Sequence, residues 1–141
     1  MSKNSIEVDI RVPNQTRYLS LIGKIGEDIV KELNRHNREK DTLAYHLNLV
    51  LTEALVNAIK YAHDSDPDQT VHICINISDD ELLVKVFDHG QGFDISNIPP
   101  PDFEKPDNRG RGIYIIKCLM DSVSYQKFDK YNVLEMTKKL K

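Results

Sequence analysis

Hydrophobic and polar positions alternate with period two from Ile6 to Val12 and then stop at Pro13, which predicts an N-terminal strand with one buried face. After the Pro13-Asn14 turn the period changes. Leu19, Ile22, Ile25, Gly26, Ile29, Val30 and Leu33 recur at helical spacing, giving a helix from Asn14 or Thr16 to about Leu33 with Asn14 as N-cap; Gly23 and Gly26 within it either weaken the helix or mark a close helix contact. A polar connector, HNREK, precedes a long helix capped by Asp41 or Thr42 and running to about Ala62. At ~100° per residue, Leu47, Leu51, Ala54, Leu55, Ala58 and Ala62 form one broad stripe of this helix, while Glu53, Asn57 and Lys60 fall within about 60° of one another on the other side. Beyond the turn-rich stretch from His63 to Asp68, Thr70 to Ile77 and Leu82 to Phe87 read as a hairpin, and the second strand ends at Asp88. Residues 94 to 109 contain four prolines and no periodicity, the mark of a functional or mobile loop, and are expected to form a lid. A helix from Gly110 to Met120 and a hairpin of Val123 to Phe128 and Val133 to Thr137 close the chain.

Composition narrows the class. At 141 residues, with 40% hydrophobic and 29% charged positions, the chain has the size and balance of one compact domain over residues 1–141. A net charge of −3 and scattered basic residues argue against direct nucleic-acid binding. No apolar run approaches the ~18 residues of a membrane span, and the start MSKNSIEVDI lacks a signal-peptide core, so no membrane association and a cytoplasmic location are expected. Cys74 in a strand and Cys118 in a helix have neither CxxC spacing nor a His cluster, so both are expected to be buried, reduced thiols with no disulfide or zinc site.

The candidate chemistry lies in three pieces. Glu53 and Asn57 are one helical turn apart; Asp88-His89-Gly90-Gln91-Gly92 follows a strand; Arg109-Gly110-Arg111-Gly112 opens a helix. A nucleotide needs what these pieces offer. Asp88 accepts from the amino group of adenine, where guanine has an acceptor. Gly90 and Gly92 permit positive φ and close approach. Gly110 and Gly112 expose free N–H groups at a helix N-terminus, with the charge of Arg109 and Arg111 beside them. The amide oxygen of Asn57, with phosphate oxygens, suffices for Mg2+, and Glu53 can take a proton from an attacking hydroxyl. Each piece alone has a plainer reading: a solvated helix face, a tight turn with His89 turned to water, a weak helix start. His46 reads as a surface or satisfied histidine. The conjunction and order of the three pieces favour the ligand.

ExxxN on a helix, DxGxG after a strand and GxG after a lid resemble the N box and the two glycine boxes of the GHKL ATP-binding fold shared by gyrase B, MutL and histidine kinases. The chain length, the first strand and DHGQGFD most resemble anti-sigma factor serine kinases. The resemblance implies an α/β (α+β) two-layer sandwich with a mixed, mainly antiparallel sheet covered on one face by three helices. It implies Glu53 as catalytic base, Asn57 as Mg2+ ligand, Asp88 at the adenine amino group, and Gly90, Gly92, Gly110 and Gly112 around base and phosphates. Lys60-Tyr61 looks like the histidine-kinase form of the N box, whose lysine approaches phosphate, and Arg111 stands within the second glycine box. Tyr131-Asn132 replaces a Gly-Thr pair of many relatives, leaving Asn132 to take over the threonine's adenine contact. The implied function is ATP- and Mg2+-dependent phosphorylation of a serine or threonine on an anti-sigma antagonist protein, with a sigma factor as second partner and a homodimer as assembly. An ATP-gated binding module without transfer activity and a histidine-kinase catalytic domain acting in trans are the alternatives; His46 lies within the nucleotide helix itself, which counts against a self-contained histidine kinase.

Overall fold

A computed structural model of the chain describes residues 5–33, 37–60, 69–90, 92 and 111–140. Its elements are β1 (Ile6–Pro13), a 3-10 turn (Thr16–Tyr18), α1 (Leu19–Lys31), α2 (Asn37–Lys60), β2 (Thr70–Ile77), β3 (Glu81–Asp88), α3 (Arg111–Leu119), β4 (Ser122–Lys127) and β5 (Asn132–Lys139). The five strands form one sheet in the order β1-β2-β3-β5-β4. Every pairing is antiparallel, where the sequence had allowed a mixed sheet.

The period-two pattern decides which side of the sheet is covered. Val71, Ile73, Ile75 and Ile77 of β2, Leu82, Val84 and Val86 of β3, and Leu134 and Met136 of β5 point to one face and are buried. Against them lie Ile22, Ile29 and Val30 of α1, Leu47, Val50, Leu51, Ala54 and Leu55 of α2, and Ile113 and Ile116 of α3. The result is a two-layer sandwich of three helices on one sheet face. Gly23 and Gly26 mark a close helix contact: a Cβ on Gly26 would come within 2.5 Å of Leu51 Cδ1, and one on Gly23 would fall on the Asn48 side chain.

Several boundaries differ from the sequence reading. Asn14 is not a helix N-cap; its N–H donates to the Gln69 carbonyl at 2.7 Å, a 3-10 turn intervenes, and Tyr18 caps α1 without a side-chain hydrogen bond. The long helix begins at Asn37, ahead of the expected Asp41 or Thr42; its first turn, Asn37 to Lys40, is polar and carries no apolar signal in the sequence. Its expected last two residues, like the lid from 94 to 109, Arg109 and Gly110, lie outside the described residues. The cysteines are not buried: Cys118 is exposed and Cys74 half-buried. Alternation explains the second, since a strand that turns Ile73 and Ile75 inward turns Cys74 to the open face.

The strand register gathers the candidate chemistry at one end of the sheet. Pro13 pairs with Thr70, His72 with Phe87, and Asp88 with Asn132, so the end of β1, the start of β2, the end of β3 and the start of β5 share an edge. Thr16, which follows β1, and Lys60, the last residue of α2, border one cleft there.

Candidate active site

Two groups of residues make up the site. The first is built on α2 and the start of α3, around a cleft of about 600 Å3 lined by Thr16, Glu53, Asn57, Lys60, Arg111 and Gly112. The polar side of α2 does not simply face water. Asn57 is only 9% exposed, and its Nδ2 is buried with no hydrogen-bond partner among the described residues. A buried amide left unsatisfied costs about 1–3 kcal/mol, a cost that a ligand at this position removes.

Glu53 lies one turn before Asn57. Burial pushes its carboxyl above the ordinary glutamate value, and the Arg111 guanidinium partly offsets that. A carboxylate shifted this way is a better proton acceptor near neutral pH than a solvated one. Gly112 comes close to both side chains: a Cβ on it would stand 2.8 Å from Glu53 Oε2 and 3.8 Å from Asn57 Nδ2. Gly112 lies in the first turn of α3, where backbone N–H groups lack intrahelical acceptors and the helix dipole favours an anion. The Glu53 carboxylate, the Asn57 amide and the first turn of α3 therefore share one small space.

The second group surrounds Asp88, which ends β3 and is 6% exposed. Its Oδ1 accepts two hydrogen bonds, from the Gly90 N–H and from Asn132 Nδ2, each at 2.9 Å. Asn132 Nδ2 also donates to the Gly90 carbonyl at 2.9 Å. Neither bond to the carboxylate uses Oδ2. Asn132 is 3% exposed and directly opposite Asp88 in the register, so it fixes the carboxylate from behind. Its Nδ2 is engaged with Asp88 and Gly90.

The glycines of this loop do different work. Gly92 has φ +81°, a conformation that favours glycine, and a Cβ there would crowd Lys127 Cε at 2.8 Å and Asn132 Oδ1 at 3.1 Å. The Gly90 N–H and carbonyl both take part in the Asp88–Asn132 network. His89 is exposed, and its Nδ1 meets the Lys130 carbonyl at 2.9 Å, as suits a turn residue. Half-buried His46 lines a separate cavity with Arg38 and Lys138, beside the far end of β5.

Both groups fit a nucleotide with a divalent ion. Asp88 and the bare backbone at Gly92 suit a flat base with an amino donor. Gly112, Arg111, Lys60 and the Asn57 Nδ2 donor suit phosphates, and the Asn57 amide oxygen suits a hard ion that keeps most of its waters. What the sequence did not show is the hold of Asn132 on Asp88, which comes from the pairing of β5 with the end of β3.

Comparison with known proteins gives the family. A family model described as a histidine kinase-like ATPase domain matches residues 24–138. The chain is 26% identical to the serine-protein kinase RsbW of Bacillus subtilis over 148 aligned positions, covering 99% of this chain and 89% of that protein. It is 28% identical to RsbW of Oceanobacillus iheyensis, covering 94% and 85%. Among solved structures, the SiaB-SiaC complex from Pseudomonas aeruginosa contains a similar chain, with TM-score 0.64 and 15% identity over 94% of this chain and 89% of that one. The histidine kinase domain of the blue-light activated histidine kinase EL346 from Erythrobacter litoralis is similar with TM-score 0.52 and 18% identity, over 98% of this chain and 69% of that one. At these identities the two structures bear on the fold alone.

Proposed function

Since this chain belongs to the family of histidine kinase-like ATPase domains, we propose that it uses Mg-ATP to phosphorylate a serine or threonine on an anti-sigma antagonist protein and thereby regulates a sigma factor. The enzyme class is that of its relatives, a protein serine/threonine kinase acting with ATP. The observation that carries the reading is the approach of Gly112, in the first turn of α3, to Glu53, whose carboxyl is held by burial above the ordinary glutamate value.

The roles follow from chemistry. Bound ATP supplies the phosphoryl group, and the protein's part is largely positioning and charge stabilisation. Asp88 Oδ2 selects adenine; Asn132 and Gly90 hold the carboxylate still by occupying Oδ1. Asn57 holds Mg2+ through its amide. Gly112, with Gly110, offers backbone N–H groups to the phosphates, and Lys60 and Arg111 offset their charge. Glu53 takes the proton of the acceptor hydroxyl as its oxygen attacks. In this reading the protein works in the cytoplasm as a homodimer whose exposed edge strands are available for association.

Incubating the chain with γ-labelled ATP and the proteins that co-purify with it tests the proposal. Label is expected on a small partner, stable to acid and labile to base as a serine phosphate is. Acid-labile, base-stable label would make it a histidine kinase acting in trans, and ATP-dependent partner binding without transfer would make it a binding module.

A further inference from the structure

The open face of the sheet carries a cluster of side chains that phosphoryl transfer does not use. In the β1–β2 register Asp9 lies directly opposite Cys74, and His72, two residues before Cys74, points to the same face. His72 Nε2 is 3.4 Å from Cys74 Sγ and 3.6 Å from the Asp9 carboxylate. One ligand atom from each of the three falls within 4.8 Å of the others, the one such group among the described residues. We propose that Asp9, His72 and Cys74 form a site for a thiophilic divalent ion of the zinc type, separate from the Mg2+ position in the nucleotide cleft.

The spacing supports this. Zinc holds cysteine sulfur at about 2.3 Å, imidazole nitrogen at about 2.0–2.1 Å and carboxylate oxygen at about 2.0–2.2 Å, in a tetrahedron. Those lengths put sulfur and nitrogen ~3.6 Å apart and nitrogen and oxygen ~3.3 Å apart. The 3.4 and 3.6 Å found here each lie within about 0.3 Å of these separations, so small side-chain adjustments suffice. Thiolate and imidazole discriminate against magnesium and calcium, and one thiolate with one carboxylate neutralises a dication.

The surroundings are favourable on three counts and adverse on two, the nearby positive charge and the raised pKa of the thiol. The His72 ring stacks on Phe87, centroids 5.2 Å apart and planes inclined by 22°, which holds its orientation. The Asp9 side chain is 76% exposed, which gives an ion a way in and leaves the fourth position to water or a partner's side chain. Two adjacent strands supply the ligands, and they are more rigid than a loop. Against this, Arg11 lies opposite His72 and Lys85 opposite Cys74. Their charge opposes a cation while favouring the thiolate and carboxylate that bind it. A role for Cys74 as a nucleophile is disfavoured, because burial and then the Asp9 carboxylate push its thiol up to about 11. On coordination the sulfur–metal bond forms and the thiol proton passes to solvent.

Cobalt(II) serves as the optical probe, added to the reduced full-length chain and then displaced by zinc. One equivalent is expected to give a thiolate-to-cobalt charge-transfer band that zinc abolishes and excess magnesium does not. Cys118→Ser, which removes the other cysteine, should keep the band, and Cys74→Ser should lose it while the far-ultraviolet circular dichroism stays unchanged. Asp9→Asn, a change at an exposed edge-strand position, should weaken zinc binding about tenfold or more without unfolding the sheet. A band that survives Cys74→Ser, a band lost with Cys118→Ser, or zinc affinity unaltered in Asp9→Asn would each overturn the assignment and leave a hydrogen-bonded surface trio.

Discussion

Replacing Glu53 by glutamine is expected to slow phosphoryl transfer by about 10²–10⁴-fold, the usual contribution of a positioned general base, while ATP affinity changes little. The carboxylate is withdrawn from water beside Gly112, and glutamine keeps its shape but cannot accept the proton. The raised pKa adds two signs that a surface carboxylate would not show. The base works only when ionised, so transfer should fall as pH is lowered through a value above the ordinary glutamate range. Stability moves the other way. The folded-state pKa lies above the unfolded one, so the ionised form is penalised in the folded state above both values, and the penalty is absent below both. Glu53→Gln should therefore raise the melting temperature near neutral pH, with the gain vanishing as pH falls below the unfolded glutamate value. Transfer at the normal rate in Glu53→Gln would return this residue to the polar surface of a helix.

Asp88→Asn should weaken ATP binding by roughly 10–100-fold, as expected when a hydrogen bond to a charged group is lost. It should also erase the preference over GTP. The substitution is informative because the internal partners survive it. The asparagine oxygen can still accept from the Gly90 N–H and Asn132 Nδ2, as Oδ1 does now, which turns an NH2 group toward the base. That group repels the amino group of adenine and suits the carbonyl of guanine. Calorimetric titration with both nucleotides measures this. Undiminished ATP affinity, or equal affinities for ATP and GTP in the natural protein, would remove Asp88 from the base-recognition site.

Much of this architecture was legible because its signals are local. Alternation placed β2 at Thr70–Ile77 and ended β3 within one residue of the expected position, since antiparallel strands with one covered face reveal themselves by period two. The α2 stripe was equally plain, and the placing of Glu53 against Asn57 needed only helical geometry. Other features depend on pairing across the chain. The hold of Asn132 on Asp88 follows from the β3–β5 register, 44 residues apart, which no periodicity reveals. The Asp9–His72–Cys74 group arises the same way: His72 and Cys74 share a face by alternation, but the third member comes from a strand far earlier in the chain. The start of α2 was misplaced because polar first turns look like connectors, and the 3-10 turn before α1 because a turn of three residues has no period.

The central claim is that ATP lies at one end of the sheet, with its base at Asp88 and its phosphates between α2 and the start of α3. A crystal structure of the chain with Mg2+ and a non-hydrolysable ATP analogue tests it most directly. The account predicts the adenine amino group about 3 Å from Asp88 Oδ2, phosphate oxygens on the backbone at Gly112, and the ion about 2.1 Å from the Asn57 amide oxygen. A nucleotide seated elsewhere, for instance in the cavity lined by Arg38, His46 and Lys138, or a base that makes no contact with Asp88, would contradict it.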